Sequence, residues 1–181
     1  VLNRSDAVAI ANDIGGTGSL VQQGTGITAL TGNNSYSGTT TIAAVTLQVG
    51  TGGTTGNLGT GTVINNGTLA FDRSDTSTIA NDIRGTGGLL QQGNGTTVLL
   101  GNNTYQGDTA ITGGTLQVDA DARLGAASGD LSLNGGTLHT TASTTTQRQI
   151  TLGAAGGSFS PDAGTALTVA SAIQGTGGLP P

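Results

Sequence analysis

GTGGLLQQGNGTTVLLGNNTYQGDTAITGGTLQV, Gly85 to Val118, carries a glycine or threonine every few residues, short alternating apolar runs, and no lysine or glutamate. It is the second copy of an earlier stretch. Arg4–Val49 aligns with Arg73–Val118 at a constant offset of 69 without a gap, and 29 of the 46 positions are identical. Agreement of that length at a fixed period marks a duplicated structural unit. The match continues at the same offset from INNGTL (Ile64–Leu69) to LNGGTL (Leu133–Leu138), while the segments around Leu58-Gly59 and Leu124-Gly125 slip by three residues. Late in the chain AIQGTGGL (Ala172–Leu179) repeats DIRGTGGL (Asp82–Leu89) at an offset of 90, which is the unit plus 21.

An insertion of that extra length, leaving the pattern intact, points to a stacked solenoid, in which only a whole turn can be added without losing register. One coil then holds about 21 to 23 residues and the repeat unit about three coils. The segments TLQV, TVIN, DLSL and ALTV alternate with period two, favour Thr and β-branched residues, and are bounded by Gly, Asn or Asp, so they read as strands. Gly113-Gly114, Asn66-Gly67 and Gly135-Gly136 are expected to supply positive φ at tight corners. An array of hairpins would leave the inserted quantum without a reason. The expected fold is therefore all-β: a parallel β-helix of about eight coils, a rod about 40 Å long at the usual strand spacing. The general preference of parallel crossovers makes it right-handed.

Composition agrees with thin, repetitive layers. Of 181 residues 34 are Gly, 8% are charged and 2% aromatic, whereas 34% are apolar and the net charge is only -5. Disorder calls for low hydrophobicity with high net charge, and this chain has neither. The apolar positions shared by both copies, Leu20/Leu89, Leu30/Leu99, Ile42/Ile111, Leu47/Leu116 and Val49/Val118, are expected to line the interior as aliphatic ladders. All five basic residues are Arg and all ten acidic ones Asp, giving a pI near 4.3 and no clustered positive charge for nucleic acid. The absence of cysteine excludes disulfides, thiolate metal sites and cysteine nucleophiles. No apolar run approaches the length of a membrane helix, and the first residues form no signal segment, so the chain reads as one β-helical piece, 1–181, of something larger. Its internal repeats are 4–72 and 73–138, with a partial third copy over 139–181.

Gly85-x-Gly87-x-Leu89, Gly93-x-Gly95, Leu99-x-Gly101, Asn103-x-Tyr105-x-Gly107-x-Thr109 and Gly114-Thr115-Leu116-x-Val118 together resemble the autotransporter-associated β-strand repeat of bacterial autotransporter passengers. The flanking LGTGTVINNGTLAFDRSDTSTIANDI resembles it too, so the likeness covers nearly the whole chain. Copy one departs at Val45, where copy two and the family pattern have Gly. The resemblance implies a right-handed parallel β-helix exported through the outer membrane by its own C-terminal β-barrel. It also implies display at, or release from, the surface of a Gram-negative cell.

Motifs with chemical meaning are few. GTGSLVQQG lacks the lysine and following helix of a phosphate cradle. His139 is the sole histidine, has no nucleophile-elbow sequence near it, and reads as a loop or surface residue. Asp72-x-x-Asp75 and Asp119-x-Asp121 are too sparse for a calcium β-roll. No catalytic, metal or cofactor residue is therefore assigned. The candidate ligand-contacting residues are Arg4, Asp6, Arg73 and Asp75, from NRSD and DRSD, expected three coils apart on one face, roughly 14 Å along the rod. The competing reading is a solvated turn whose Asp bonds its own backbone. Asn33-Asn34 and Asn102-Asn103 suit hydrogen bonds within corners or internal amide ladders, and Tyr36 and Tyr105 suit packing over a corner. Asn94-Gly-Thr is a sequon of the kind an Asn- and Thr-rich chain contains by chance.

Three functions fit to different degrees. The first is a non-enzymatic stalk of a surface autotransporter adhesin. The second is a module that itself binds a host-cell surface or extracellular-matrix protein. The third, a β-helical polysaccharide-active enzyme, needs convergent carboxylates that ten scattered Asp and no Glu do not readily supply.

Overall fold

The computed structural model describes residues 1–179, and its short parallel strands stack into three walls around a filled interior. The long wall holds β1 (Val8–Ile10), β3 (Thr28–Leu30), β5 (Thr46–Val49), β7 (Thr68–Phe71), β10 (Gly88–Gln91), β12 (Thr109–Ile111), β14 (Leu131–Leu133), β17 (Ile150–Leu152) and β20 (Ile173–Gly175). The late wall begins midway along the rod, with β8 (Thr76–Ile79), β11 (Thr96–Leu99), β13 (Thr115–Val118), β15 (Thr137–Thr140) and β18 (Ser158–Pro161). The split wall holds β2 (Leu20–Gln22), β4 (Thr40–Ile42), β6 (Val63–Asn65) and β9 (Ile83–Arg84), then, after a gap, β16 (Thr144–Thr146) and β19 (Leu167–Val169). Both parts of the split wall hold the same place in each coil, directly before a long-wall strand. Parallel neighbours cannot be joined by tight turns, and here the other two walls serve as the crossover.

The long wall runs through eight coils without a register break. Its inward ladder is Ile10, Leu30, Val49, Phe71, Gln91, Ile111, Leu133 and Leu152, one residue per rung. Coil length is uneven: the step from Thr28 to its rung partner Leu47 is shorter than expected, while the step from Ile150 to Ile173 lies at the long end of the expected range. The ten shared apolar positions are all buried, as expected. Each such Leu or Val contributes roughly 1.5 to 3 kcal/mol of transfer free energy, which helps offset the entropy of ordering a glycine-rich chain.

The corners differ in part from expectation. Gly114 (φ 51) and Gly135 (φ 99) take positive φ, but Gly67 does not. What Gly67 supplies is absence of bulk: a Cβ there would lie 2.2 Å from the Val45 carbonyl oxygen of the coil below. No residue other than glycine has positive φ among the described residues, so Val45 builds its corner with ordinary backbone where Gly114 uses the left-handed region.

The repeat unit is not a whole number of coils, which corrects the expectation of about three. Three coils carry Val8 through Thr28 and Leu47 to Leu69, all on the long wall. The sequence offset instead carries Val8 to Ser77, on the late wall. Every copy-equivalent strand moves likewise: β2 and β4 on the split wall become β10 and β12 on the long wall, and β3 and β5 on the long wall become β11 and β13 on the late wall. The segment with no strand moves as well, from 31–39 at the late-wall position to 100–108 at the split-wall position.

Candidate functional site

Copy equivalence brings matched polar groups inside the rod. Gln22 is buried, its amide donating to the Gly26 carbonyl at 2.9 Å and its Oε1 accepting from Thr28 Oγ1 at 3.0 Å. Gln91 repeats this, donating to the Gly93 carbonyl at 2.8 Å and accepting from Thr97 Oγ1 at 2.6 Å. Tyr36 and Tyr105 lie fully inside rather than over a corner, with their hydroxyls 2.7 Å from Thr40 Oγ1 and Thr109 Oγ1. Burial pushes the Tyr105 phenol up to about 12, against the opposing effect of its Thr109 bond, so it stays neutral. These pairs were visible as identities between the copies, but nothing in a lone Gln or Tyr says that its partner lies four to six residues on and inside.

The asparagines stitch coils together where no strand does. Asn34 Oδ1 accepts the Ile14 N–H of the coil below at 3.0 Å, and its amide donates to the Asn57 carbonyl above at 2.7 Å. Asn103 does the same between Ile83 N–H at 3.0 Å and the Arg123 carbonyl at 2.7 Å. A side-chain amide has both a donor and an acceptor, so it can replace a strand's two ladder bonds. Asn33 and Asn102 present backbone N–H groups to the carboxylates of Asp13 and Asp82, at 2.6 and 2.8 Å.

The four candidate residues do not share a face. Arg4 and Asp6 sit at the corner between split and long walls, whereas Arg73 and Asp75 sit between long and late walls. This corrects the expected stripe, and the cause is the offset of one wall per copy. Both arginines grip their aspartate by two bonds, 2.8 and 2.6 Å in copy one and 2.9 and 2.7 Å in copy two. In each pair the arginine hydrogen bonds hold the carboxyl below its ordinary value. Their surroundings differ. Arg4 is 57% exposed, but Arg73 is 13% exposed because its outer nitrogens also donate to the Thr54 and Gly56 carbonyls of a bulged segment one coil below.

Arginines that hold bulges recur. Arg123 pairs with Asp119 at 2.7 Å and reaches the Gly101 carbonyl at 3.1 Å. Arg148, 2% exposed, donates to Asp121 Oδ1 at 3.0 Å and to the carbonyls of Ala126, Gly129, Asp121 and Gly125 at 2.7 to 3.2 Å. Its five-donor guanidinium fork is committed to a short 3-10 helix, Asp121–Leu124, and the loop that follows it. Its sequence surroundings, TTTQRQI, contain no acidic partner, so this role was not legible.

His139 lies on β15, partly exposed, with Nε2 2.8 Å from Asp162 Oδ1 on the next coil. Among the described residues it makes no hydrogen bond to a serine hydroxyl, and no group of three or more His, Asp or Glu is placed to hold a metal ion. No helix there is long and apolar enough to cross a membrane.

Comparison with known proteins attaches to this same repeated geometry. The passenger-associated-transport-repeat model matches residues 20–49 and 89–118. Those spans run from β2 to β5 and from β10 to β13, and in each the first strand stacks on the third and the second on the fourth. The chain is 43% identical over 103 residues to the adhesin BmaC autotransporter of Brucella suis, covering 57% of this chain and 3% of that protein. It is 44% identical over 66 residues to an extracellular serine protease of Serratia marcescens, 34% of this chain and 6% of the protease. It is 50% identical over 54 residues to the autotransporter lipoprotein NalP of Neisseria meningitidis, 28% of this chain and 5% of NalP. No solved structure matches significantly. Residues 20–49 and 89–118, two strand-corner-strand modules alike in stacking, each match the passenger-associated-transport repeat, and BmaC and NalP, to which the chain is similar, are autotransporters.

Proposed function

We propose that this region is a non-enzymatic stalk within an autotransporter passenger, displayed at or released from the surface of a Gram-negative cell. Its job is to hold a functional region away from the outer membrane. The observation that carries this reading is the nine-stranded wall in unbroken register, a rod of about 40 Å at the usual rung spacing. Its buried Gln22, Gln91, Tyr36 and Tyr105 bond to threonines within their own coils, and three of its five arginines join one coil to the next. In the full-length protein the rod would be exported through a C-terminal β-barrel, and the passenger's partners would be host-cell or extracellular-matrix proteins. The matches to the proteases cover at most 6% of their length, so they carry over the repeat and not the activity in their names.

The test is a register-preserving deletion of residues 89–130 in the full-length passenger, which splices Gly88 to Leu131, stacks β14 on β7 and removes two coils. Adhesion should persist with surface display unchanged. Loss of adhesion at normal display would move the binding function into this segment. A second reading places binding at Arg4 and Asp6, which are more than half exposed, lie outside that deletion and would contact a host or matrix protein. Arg4→Ala with Asp6→Ala should then abolish adherence, and unchanged adherence would remove this pair from consideration.

A further inference from the structure

The two linking segments that break the constant offset, around Leu58-Gly59 and Leu124-Gly125, build the same local structure. In each, the residue after the Leu-Gly pair donates its N–H to a tyrosine carbonyl of the coil below, Thr60 to Tyr36 at 2.9 Å and Ala126 to Tyr105 at 2.8 Å. In each, the glycine carbonyl accepts from a side chain of the coil above, Gly59 from Asn81 at 2.8 Å and Gly125 from Arg148 at 2.9 Å. The segment is bonded downward by its backbone and upward only by side chains. Over each lies a strand that opens part of a wall: β8 on the late wall, and β16 where the split wall resumes. On β16 the Thr144 N–H donates to the Ala166 carbonyl and the Thr146 carbonyl accepts from the Ala170 N–H, both at 2.9 Å and both toward the coil above. Strand alternation therefore turns the N–H and C=O groups of Thr145 and Gln147 down toward segment 119–129, and among the described residues no hydrogen bond meets them there. Thr76 and Thr78 on β8 are open in the same way.

Each open edge borders a cleft. The cleft under β8 holds about 240 Å³ and is lined by neutral residues, among them Asn57, Leu58, Thr78 and Asn81. The cleft under β16 holds about 380 Å³ and is lined by Asp121, Ala127, Thr145, Gln147 and Arg148. Only the second reaches the roughly 300 to 1,000 Å³ usual for a ligand site. Arg148 is fully engaged, since each of its N–H donors has an acceptor. Asp121 is not: Arg148 takes its Oδ1, and among the described residues no hydrogen bond reaches its Oδ2. Residues 108–130 beneath the cleft carry Asp108, Asp119, Asp121 and Asp130 against Arg123 alone, so with Arg148 four negative charges face two positive ones. We propose that the cleft under β16 binds an extended basic peptide, which adds as a strand along Thr145–Gln147 and sets a lysine or arginine against Asp121 Oδ2. Main-chain bonds then give the affinity, and the basic side chain gives the selectivity. The occupant is a separate polypeptide and not a second copy, because this chain has no lysine and pairs all five of its arginines with Asp. The site goes beyond the stalk reading and does not depend on it.

The probe is a fluorescein-labelled, C-terminally amidated heptapeptide, Thr-Val-Thr-Lys-Thr-Val-Thr, titrated with the whole chain by fluorescence anisotropy. Two further probes replace its Lys with Glu or carry N-methyl groups on alternate amides. The lysine peptide should saturate below about 1 mM, the glutamate peptide should bind roughly tenfold more weakly, and the N-methylated peptide should not bind. Thr145→Pro should abolish binding of the lysine peptide with the fold intact, because its N–H lies outside the ladder and proline is tolerated on an edge strand. Asp121→Asn keeps an Oδ1 acceptor for Arg148 and should erase the preference for Lys over Glu. Circular dichroism of both variants separates lost binding from lost structure, and the N-methylated probe tests the same main-chain contact without altering the protein. No saturation by the lysine peptide, or equal binding of either the N-methylated or the glutamate peptide, would overturn the proposal. Because the readout is peptide binding to the isolated chain, it can fail while the stalk reading stands, and the deletion test can fail while the cleft binds.

Discussion

Arg4-Ser5-Asp6 and Arg73-Ser74-Asp75 are identical in sequence and close the same two-bond fork, yet only the second is built into the fold. The difference lies in what faces each guanidinium. Arg73 meets a bulged segment, Thr54–Gly56, whose carbonyls point at it from the coil below, while Arg4 meets only Asp6. An exposed ion pair adds little to stability, and an arginine that satisfies buried carbonyls adds more, because its loss leaves acceptors without a donor. Identical residues thus contribute unequally according to their neighbours along the rod.

The comparison is sharpened most by the arginine that takes this role furthest. Replacing Arg148 with Met should destabilise the chain by about 3 to 5 kcal/mol in urea unfolding, since it strips the donors from a nearly enclosed ring of carbonyls and Asp121. An effect below about 1 kcal/mol would mean that water replaces the guanidinium. Gly114→Val tests whether the copies are interchangeable, since it installs the residue that copy one carries at Val45. It should cost about 2 to 3 kcal/mol or more, because positive φ is closed to a β-branched residue and a Cβ there would approach the Gly93 and Gly95 carbonyl oxygens to 2.3 Å. A neutral result would show that the corner can adopt its counterpart's geometry. Arg73→Ala should cost about 1 to 2 kcal/mol by the same measurement, and Arg4→Ala should leave the midpoint unchanged. Equal effects would break the distinction between the two pairs.

The smallest effect is in pH. Asp75 and Asp119 have carboxyls held below the ordinary 3.8, first by hydrogen bonds from Arg73 and Arg123. For a depressed carboxyl the stabilisation is fully present above the unfolded value and is lost as pH falls through the folded one. Stability should therefore hold from neutral pH to about 4 and decline below it through these groups, and Arg73→Ala or Arg123→Ala should shallow that decline. A decline of the same depth in these variants would assign the acid sensitivity elsewhere.

The strand-forming segments, the inward apolar positions and the presence of a one-coil quantum were all legible in the sequence, because each depends on local alternation and on what a rung must bury. Val49 and Leu116 could be placed inside from their neighbours alone. The candidate stripe could not be placed, because Arg4 and Arg73 align on one face only if the unit is a whole number of coils. Gln22, Gln91, Tyr36 and Tyr105 were legible as identities but not as interior residues, since their burial depends on Thr partners that the fold alone brings within hydrogen-bond reach.

By itself the sequence determined a repeating coil with aliphatic rungs and glycine corners, since these follow from side-chain alternation and backbone sterics over a few residues. The tertiary structure alone decided which wall each copy occupies and which arginines hold the coils. Wall position follows from the summed length of every strand, corner and bulge in the coils beneath, and that length changes from coil to coil, as the unequal steps Thr28 to Leu47 and Ile150 to Ile173 show. A guanidinium's contribution follows from the carbonyls that this sum brings beside it.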